Sequence, residues 1–297
     1  ASCWRRNLHL YVEFNVFMGG DTMDNYSLNL LKRQVLKETG DNVAIFIDYD
    51  NIYHGLKDYA LDVHKDCNII DLLWDIYGRN RVRTIKAYAD FDQIDITLRD
   101  LQQNRVQIRQ VYGNGRGEKN RKNASDIELS IDAVECYYKN SDIDTYVFVT
   151  ADSDMIPIMS RTMFNGNKVH LYYMSTNVSQ YQDITDYAHI SQDFIKLFKI
   201  NIERAKPHFW LNNAKDMITK WYADSRNRDK LYGPSWLNEG LRESFGMSYK
   251  LASGTIQYME DTKLIEKIKH TVKGNTIEGY ILTADKHKYS PVKAGAV

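Results

Sequence analysis

The sequence is poor in the features that assign a chain quickly. It has three cysteines, Cys3, Cys67 and Cys136, with no CxxC and no paired framework. That excludes a disulfide scaffold and points to a reducing, cytoplasmic setting. No apolar run reaches the roughly 18 residues a membrane span needs. Net charge is absent too: 39 Lys and Arg balance 39 Asp and Glu, so global charge names no partner. Walker A, GxSxG and dinucleotide GxGxxG patterns are missing, as are HExxH and any other zinc spacing among the eight histidines. No Ser–His–acid arrangement, internal repeat or low-complexity tract replaces them.

What is present begins with asymmetry. From Arg204 onward there are 16 basic and 10 acidic residues, a net of +6, which leaves −6 for residues 1–203. The C-terminal part is the better candidate for touching nucleic acid or another partner. The 297 residues suit a domain of about 150 to 200 residues plus a smaller one. The opening "ASCWRRNLHLYVEFNVFMGG" lacks a signal-peptide layout. It reads as upstream or cloning-derived sequence, with Met18 and Met23 as candidate starts. The end, "SPVKAGAV", reads as a disordered tail or a scar.

Between these ends, apolar strands alternate with helices. "NVAIFI", residues 42–47, is rich in β-favouring side chains, and a short helix follows Asn51. "NIIDLLWDIYG" is a helical stripe stopped by Gly78. "VRTIKAYADF", "VQIRQVYG", "TYVFVTA" and "KVHLYYM" read as strands. "QIDITLRDLQQN", "DIELSIDAVECYYKN" and "DMIPIMSRTMFNG" read as helices, the last with Pro157 in its first turn. Strands at this spacing, apolar throughout, predict an α/β fold with a mostly parallel sheet covered by helices on both faces. Past Lys206 the pattern changes. "HFWLNNAKDMITKWYAD" and "WLNEGLRESF" predict helices, "ASGTIQYMEDTKLIEKIKH" (252–270) a third, and "TVKGNTIEGYILT" a hairpin around Gly274-Asn275. That order suggests a small, mainly helical, winged-helix-like domain. The expected division is an extension (1–40, partly cloning-derived or helical), a main domain (41–200), the small domain (206–288) and a tail (289–297).

Two strands run directly into acids. "AIFIDYDN" ends in Asp48, with no helix start expected immediately after it, and "YVFVTADSD" ends in Asp152 and Asp154. Parallel sheets bind ligands beyond the carboxyl ends of their strands. Asp126 opens the helix after the stretch "NGRGEKNRKNAS", and Asp132 follows six residues on, about 120° around the helix. Each acid alone could cap a helix, and Asn51 could be an N-cap. Together at one sheet edge they would repel unless a cation offset them, and oxygen ligands suit Mg²⁺ or Mn²⁺. Arg116, Lys119, Arg121 and Lys122 could grip a phosphate backbone, or form a solvated face. Ser153 could bind phosphate or simply make a turn.

"FIDYDNIY", "KNASDIELSIDAV" and "VTADSDMIPIM" resemble the three signature segments of NYN domains, the PIN-like nuclease group that includes LabA-type and DUF88 proteins. The likeness spans about 43–190. It departs from the family at Met155, where an aromatic is usual, and at Ala124-Ser125, where many relatives have Gly-Val. The resemblance implies a PIN-like, Rossmann-like sheet and a divalent-metal site formed by Asp48, Asp126, Asp152 and Asp154, with Asp132 as a further member. Asn51 would hold the site together or touch the scissile phosphate. The activity implied is metal-dependent hydrolysis of RNA, single-stranded or structured. Two alternatives stand beside it: a non-catalytic RNA-binding or regulatory module, and a small-substrate phosphohydrolase, since Asp48 and Asp50 echo a DxD nucleophile motif. The C-terminal domain could contact DNA or protein, and the chain could form a homo-oligomer.

Overall fold

The computed structural model describes residues 25–94, 96–112, 125–177, 183–227, 230–272 and 275–288. The chain divides into two compact units, residues 1–55 with 62–201, and 56–61 with 202–297. The expected loop cations Arg116, Lys119, Arg121 and Lys122 fall outside the described residues.

In the first unit, each apolar run has become a strand and each amphipathic run a helix. The order is α1 (Asn25–Lys37), β1 (Val43–Asp48), α2 (Tyr49–Lys57), α3 (Ile69–Tyr77), β2 (Val82–Ala89), α4 (Leu98–Gln103) and β3 (Gln107–Gln110). It continues with α5 (Ser125–Lys139), β4 (Thr145–Val149), α6 (Ile156–Phe164), β5 (Lys168–Tyr173), β6 (Ile190–Asp193) and α7 (Phe194–Leu197). Local signals fix the ends. Asn68 accepts the Asp71 N–H at 3.0 Å to start α3, and Gly78 at φ 77° stops it. Pro157 lies in the first turn of α6, where its missing N–H costs nothing.

The strands form one sheet in the order β3-β2-β1-β4-β5-β6, and every neighbouring pair is parallel. The sequence reading ended at β5, so β6 is an addition; its polar "ISQD" carries no apolar run. β1 and β4 are buried along their whole length, as central strands covered on both faces must be. Connections leave β1 toward β2 and β3, then return to the other side of β1 at β4. With right-handed crossovers this sends α3 and α4 to one face and α5 and α6 to the other. The direction of winding reverses between β1 and β4, and ligand crevices form at such a switch point.

Beneath this sits His170 on β5, fully buried. Its Nε2 lies 3.2 Å from the Glu38 carbonyl, which only accepts, and its Nδ1 is 2.8 Å from the Tyr77 hydroxyl, which therefore donates to it. Burial holds the imidazole pKa down at about 4, so it is neutral.

The second unit comprises α8 (Leu211–Ala223), α9 (Pro234–Phe245), α10 (Tyr249–Asp261) and an antiparallel hairpin, β7 (Ile265–Val272) and β8 (Asn275–Leu282). Ala214, Ile218, Leu237, Leu241, Ala252 and Met259 form the heart of its core. Between α8 and α9 the chain lies along β8, where the Tyr280 N–H donates to the Tyr232 carbonyl at 2.9 Å. Gly279 permits that approach: a Cβ there would stand 2.5 Å from the Leu231 Cβ. The unit's elements run as three helices followed by a hairpin. The expected helix over 252–270 is corrected, however. Thr262 caps α10, Lys263 adopts φ 57° and the chain re-enters as β7 at Ile265. Leu264, Ile265 and Ile268 mimic helical spacing, but the left-handed residue before them breaks the helix. Among the described residues no helix is long and apolar enough to cross a membrane.

Candidate metal centre

β1 delivers Asp48 to the switch point, and α2 starts at the next residue. The expectation that no helix begins there is corrected: Asp48 Oδ1 accepts the Asn51 N–H at 3.3 Å, the bond of an N-cap. Capping does not exhaust its role. The carboxyl is only 5% exposed, and its other oxygen accepts the Thr150 hydroxyl at 3.2 Å. The Ser125 hydroxyl lies 3.5 Å from Oδ1. Burial pushes the Asp48 pKa up to about 7, with the charges of Asp50 and Asp152 adding to the rise and the donors at Asn51 and Thr150 opposing it.

Thr150 has a second bond. Its Oγ1 accepts the Asp152 N–H at 3.1 Å, so one fully buried hydroxyl joins Asp48 to the turn after β4. Asn51 makes a parallel stitch: its side-chain carbonyl accepts the Ala151 N–H at 3.3 Å. The crests of β1 and β4 are thereby fixed to one another.

Above this floor three carboxylates meet. Asp152 and Asp154 flank Ser153 in a single 3₁₀ turn, and Asp152 Oδ1 caps it by accepting the Asp154 N–H at 2.9 Å. Asp126 comes from the first turn of α5, the helix that connects β3 to β4. One oxygen from each of Asp126, Asp152 and Asp154 lies within 4.8 Å of the others. Asp48 is not one of this trio and is tied to it through Thr150. Ligands on opposite sides of a Mg²⁺ ion at 2.0–2.1 Å stand about 4.2 Å apart. The trio is thus close enough for one small hard cation to draw together, and an all-carboxylate donor set suits Mg²⁺ or Mn²⁺ over softer metals.

Asp132 lies apart from the trio. It is buried on the same helix, where it pairs with Lys86 at 3.0 Å and Arg109 at 3.1 Å and accepts the Tyr88 hydroxyl at 2.7 Å. Burial alone would raise its pKa, but these donors and cations outweigh it and hold the carboxyl below its ordinary value. Its expected place among the metal ligands gives way to a structural ion network, as the 120° offset from Asp126 foreshadowed.

Asp50, the second acid of the DxD echo, has a supporting place. The buried Asp50 accepts the Asp90 N–H at 3.1 Å, while Gln110 donates to the Asp90 carboxyl and accepts the Phe91 N–H, each at 3.1 Å. These bonds hold the ends of β1, β2 and β3 level. The signal was Asp50 itself, a second acid that follows a buried strand without reaching the crevice.

A family model described as NYN domain matches residues 42–197. A crystal structure of a protein of unknown function from Vibrio parahaemolyticus is similar at 19% sequence identity, covering 53% of this chain and 95% of that chain with a TM-score of 0.43. No curated protein is significantly similar to the chain.

Proposed function

The chain belongs to the NYN domain family, a PIN-like nuclease fold, and from that premise we propose that it is a metal-dependent ribonuclease whose site lies at the β1/β4 switch point. The convergence of Asp126, Asp152 and Asp154 carries the reading. Asp126, Asp152 and Asp154 would hold the ion, with Asp48 behind them. A Mg²⁺ or Mn²⁺ ion bound there would neutralise the crowded acids, polarise a phosphoryl oxygen and lower the pKa of water.

The remaining work falls to the chain itself. Thr150 and Asn51 orient the acids, so little reorganisation is needed when substrate arrives. Asp48, buried beside the ligands, would take a proton from the attacking water as the bond to phosphorus forms and the leaving oxygen departs. Ser153 lies between two of the acids, on the turn a phosphate would approach. Arg116, Lys119, Arg121 and Lys122, just ahead of Asp126 in sequence, would grip the RNA backbone, making binding salt-sensitive.

The test is incubation with single- and double-stranded RNA and DNA in Mg²⁺, Mn²⁺ or EDTA. RNA cleavage that needs the metal and disappears in Asp154→Asn is the expected result. RNA bound with metal but left intact would favour a non-catalytic binding module, and a trapped phospho-aspartate at Asp48 would favour a phosphohydrolase.

A further inference from the structure

The second unit carries a ladder of three aromatic rings that climbs from its core to water. Trp221, in the last turn of α8, lies face to face with Tyr232, with ring centroids 4.3 Å apart and planes 3° from parallel. Trp236 of α9 leans against the same indole at 5.3 Å and 45°. Tyr232 is buried and Trp221 half-buried, while Trp236 is 49% exposed. The Trp221 Nε1–H is buried and finds no acceptor among the described residues. A phenylalanine would pack there without stranding a donor, so the ladder is wide at a cost in stability. Cations gather at the same place. Lys220 and Lys230 are both exposed. Lys220 precedes Trp221, and Lys230 is held close by: its N–H donates to the Asn227 carbonyl at 2.9 Å, and the Asn227 side-chain amide donates to the Trp221 carbonyl at 3.1 Å.

We propose that Trp236 is a stacking platform for an unpaired base of a single-stranded nucleic acid, with Lys220 and Lys230 drawing in the flanking phosphates. A half-bare indole held by a second ring accepts another flat ring, and every base offers one. Charge selects which flat ring comes. The chain from Arg204 onward carries a net +6, and two exposed lysines border the ladder itself. That complements a polyanion, whereas an aromatic or proline-rich peptide has no use for the lysines. One acid opposes the arrangement: the exposed Glu239 lies one turn along α9 from Trp236. Stacking does not discriminate between sugars, so the choice of RNA over DNA rests on the ribonuclease reading of the first unit.

The test is fluorescence anisotropy of the full chain in EDTA with three labelled strands of equal length: oligoadenylate RNA, the same sequence in DNA, and an abasic strand. Trp236→Ala, checked for folding by circular dichroism, should weaken both base-bearing strands by about tenfold and leave the abasic strand unchanged. Trp236→Phe should recover most of the loss. Lys220→Glu with Lys230→Glu should weaken all three strands and flatten the salt dependence, and Glu239→Gln should tighten all three. Both lysines are exposed, so their variant carries the test even if Trp236→Ala unfolds. Wild-type affinity in folded Trp236→Ala overturns the proposal, as does an equal loss on the abasic strand, which would make the effect something other than stacking. Undiminished binding by the lysine variant overturns the phosphate contact, and a wild-type chain that binds none of the strands overturns the whole. EDTA removes the metal, so each result stands whether or not the first unit cleaves RNA.

Discussion

Asp48→Asn should stabilise the metal-free protein, and should do so only at neutral and alkaline pH. The wild-type carboxyl titrates at about 7 in the fold against 3.8 when solvated. Between those values the folded state binds the extra proton, so stability falls as pH rises through that window. A shift of about three units corresponds to about 4 kcal/mol at 1.36 kcal/mol per unit. Asparagine cannot ionise, so the loss disappears. One hydrogen bond suffers, because asparagine has a single accepting oxygen for the two donors, the Asn51 N–H and the Thr150 hydroxyl, at a cost of about 1 kcal/mol. The net gain at pH 8 is then about 3 kcal/mol, or roughly 6–12 °C in melting temperature for a unit of this size. Near pH 4.5 the two proteins should melt nearly alike. His170 complicates the wild-type curve in an informative way. Its pKa is depressed to about 4 from 6.5, so its contribution is complete above 6.5 and fades as pH falls toward 4. The two trends run in opposite directions over overlapping windows, so wild type should look flat while Asp48→Asn shows a clear acid decline. The assay is thermal melting in EDTA from pH 4.5 to 8.5. A variant that is destabilised at pH 8 by as much as at pH 5 would refute the reasoning and leave Asp48 as a helix cap alone.

His170→Gln in the wild-type chain should unmask the Asp48 trend, leaving a protein whose stability falls as pH rises from 5 to 7; a curve as flat as the wild type's would mean that another group offsets Asp48. Asp152→Asn should keep the fold, since asparagine also caps, yet slow single-turnover RNA cleavage by more than about 100-fold, the ceiling for residues that merely support a ligand. Asp132→Ala strands Lys86, whose side chain is only 12% exposed, and should cost about 3–5 kcal/mol in denaturant melts. Its cleavage rate per folded molecule should hold at low temperature; selective loss of cleavage would return Asp132 to the metal site. Gly279→Ala should disrupt the second unit by more than about 2 kcal/mol through the 2.5 Å approach to Leu231, and proteolysis confined to residues 202–288 would report it.

Much of this architecture could be read from residue patterns because burial imposes them. β1 and β4 are buried at every position, and an abrupt acid at the end of such a run is chemically expensive unless something uses or satisfies it. The trio was legible for that reason. Its geometry was not, since Asp126 could be placed on a helix but not aimed, and Asp132 differed from it only by an angle. Asp132 became interpretable once Lys86 and Arg109, distant in sequence, were seen beside it. Local pattern also misled at Leu264–Ile268, where three apolar residues fit a helix or a strand equally well and a single positive φ decided the outcome. β6 escaped because an edge strand has one neighbour and needs no apolar run.

The switch point has a mechanical side. Asp126 and the Asp152/Asp154 pair reach the crevice on opposite sides of the α5–β4 connection, and Asp48 is fastened to them from a third segment. An ion gripped there would act as a further clasp on a crest that Thr150 and Asn51 already stitch together. Local opening of the β4 turn would then have to release the ion, so fraying would be coupled to free metal concentration. At a hundredfold excess over the dissociation constant that coupling is worth about 2.7 kcal/mol. Depletion of the metal would therefore loosen the crest as well as stop the chemistry, and amide exchange at Ala151 and Asp154 would record the loosening before any global unfolding began.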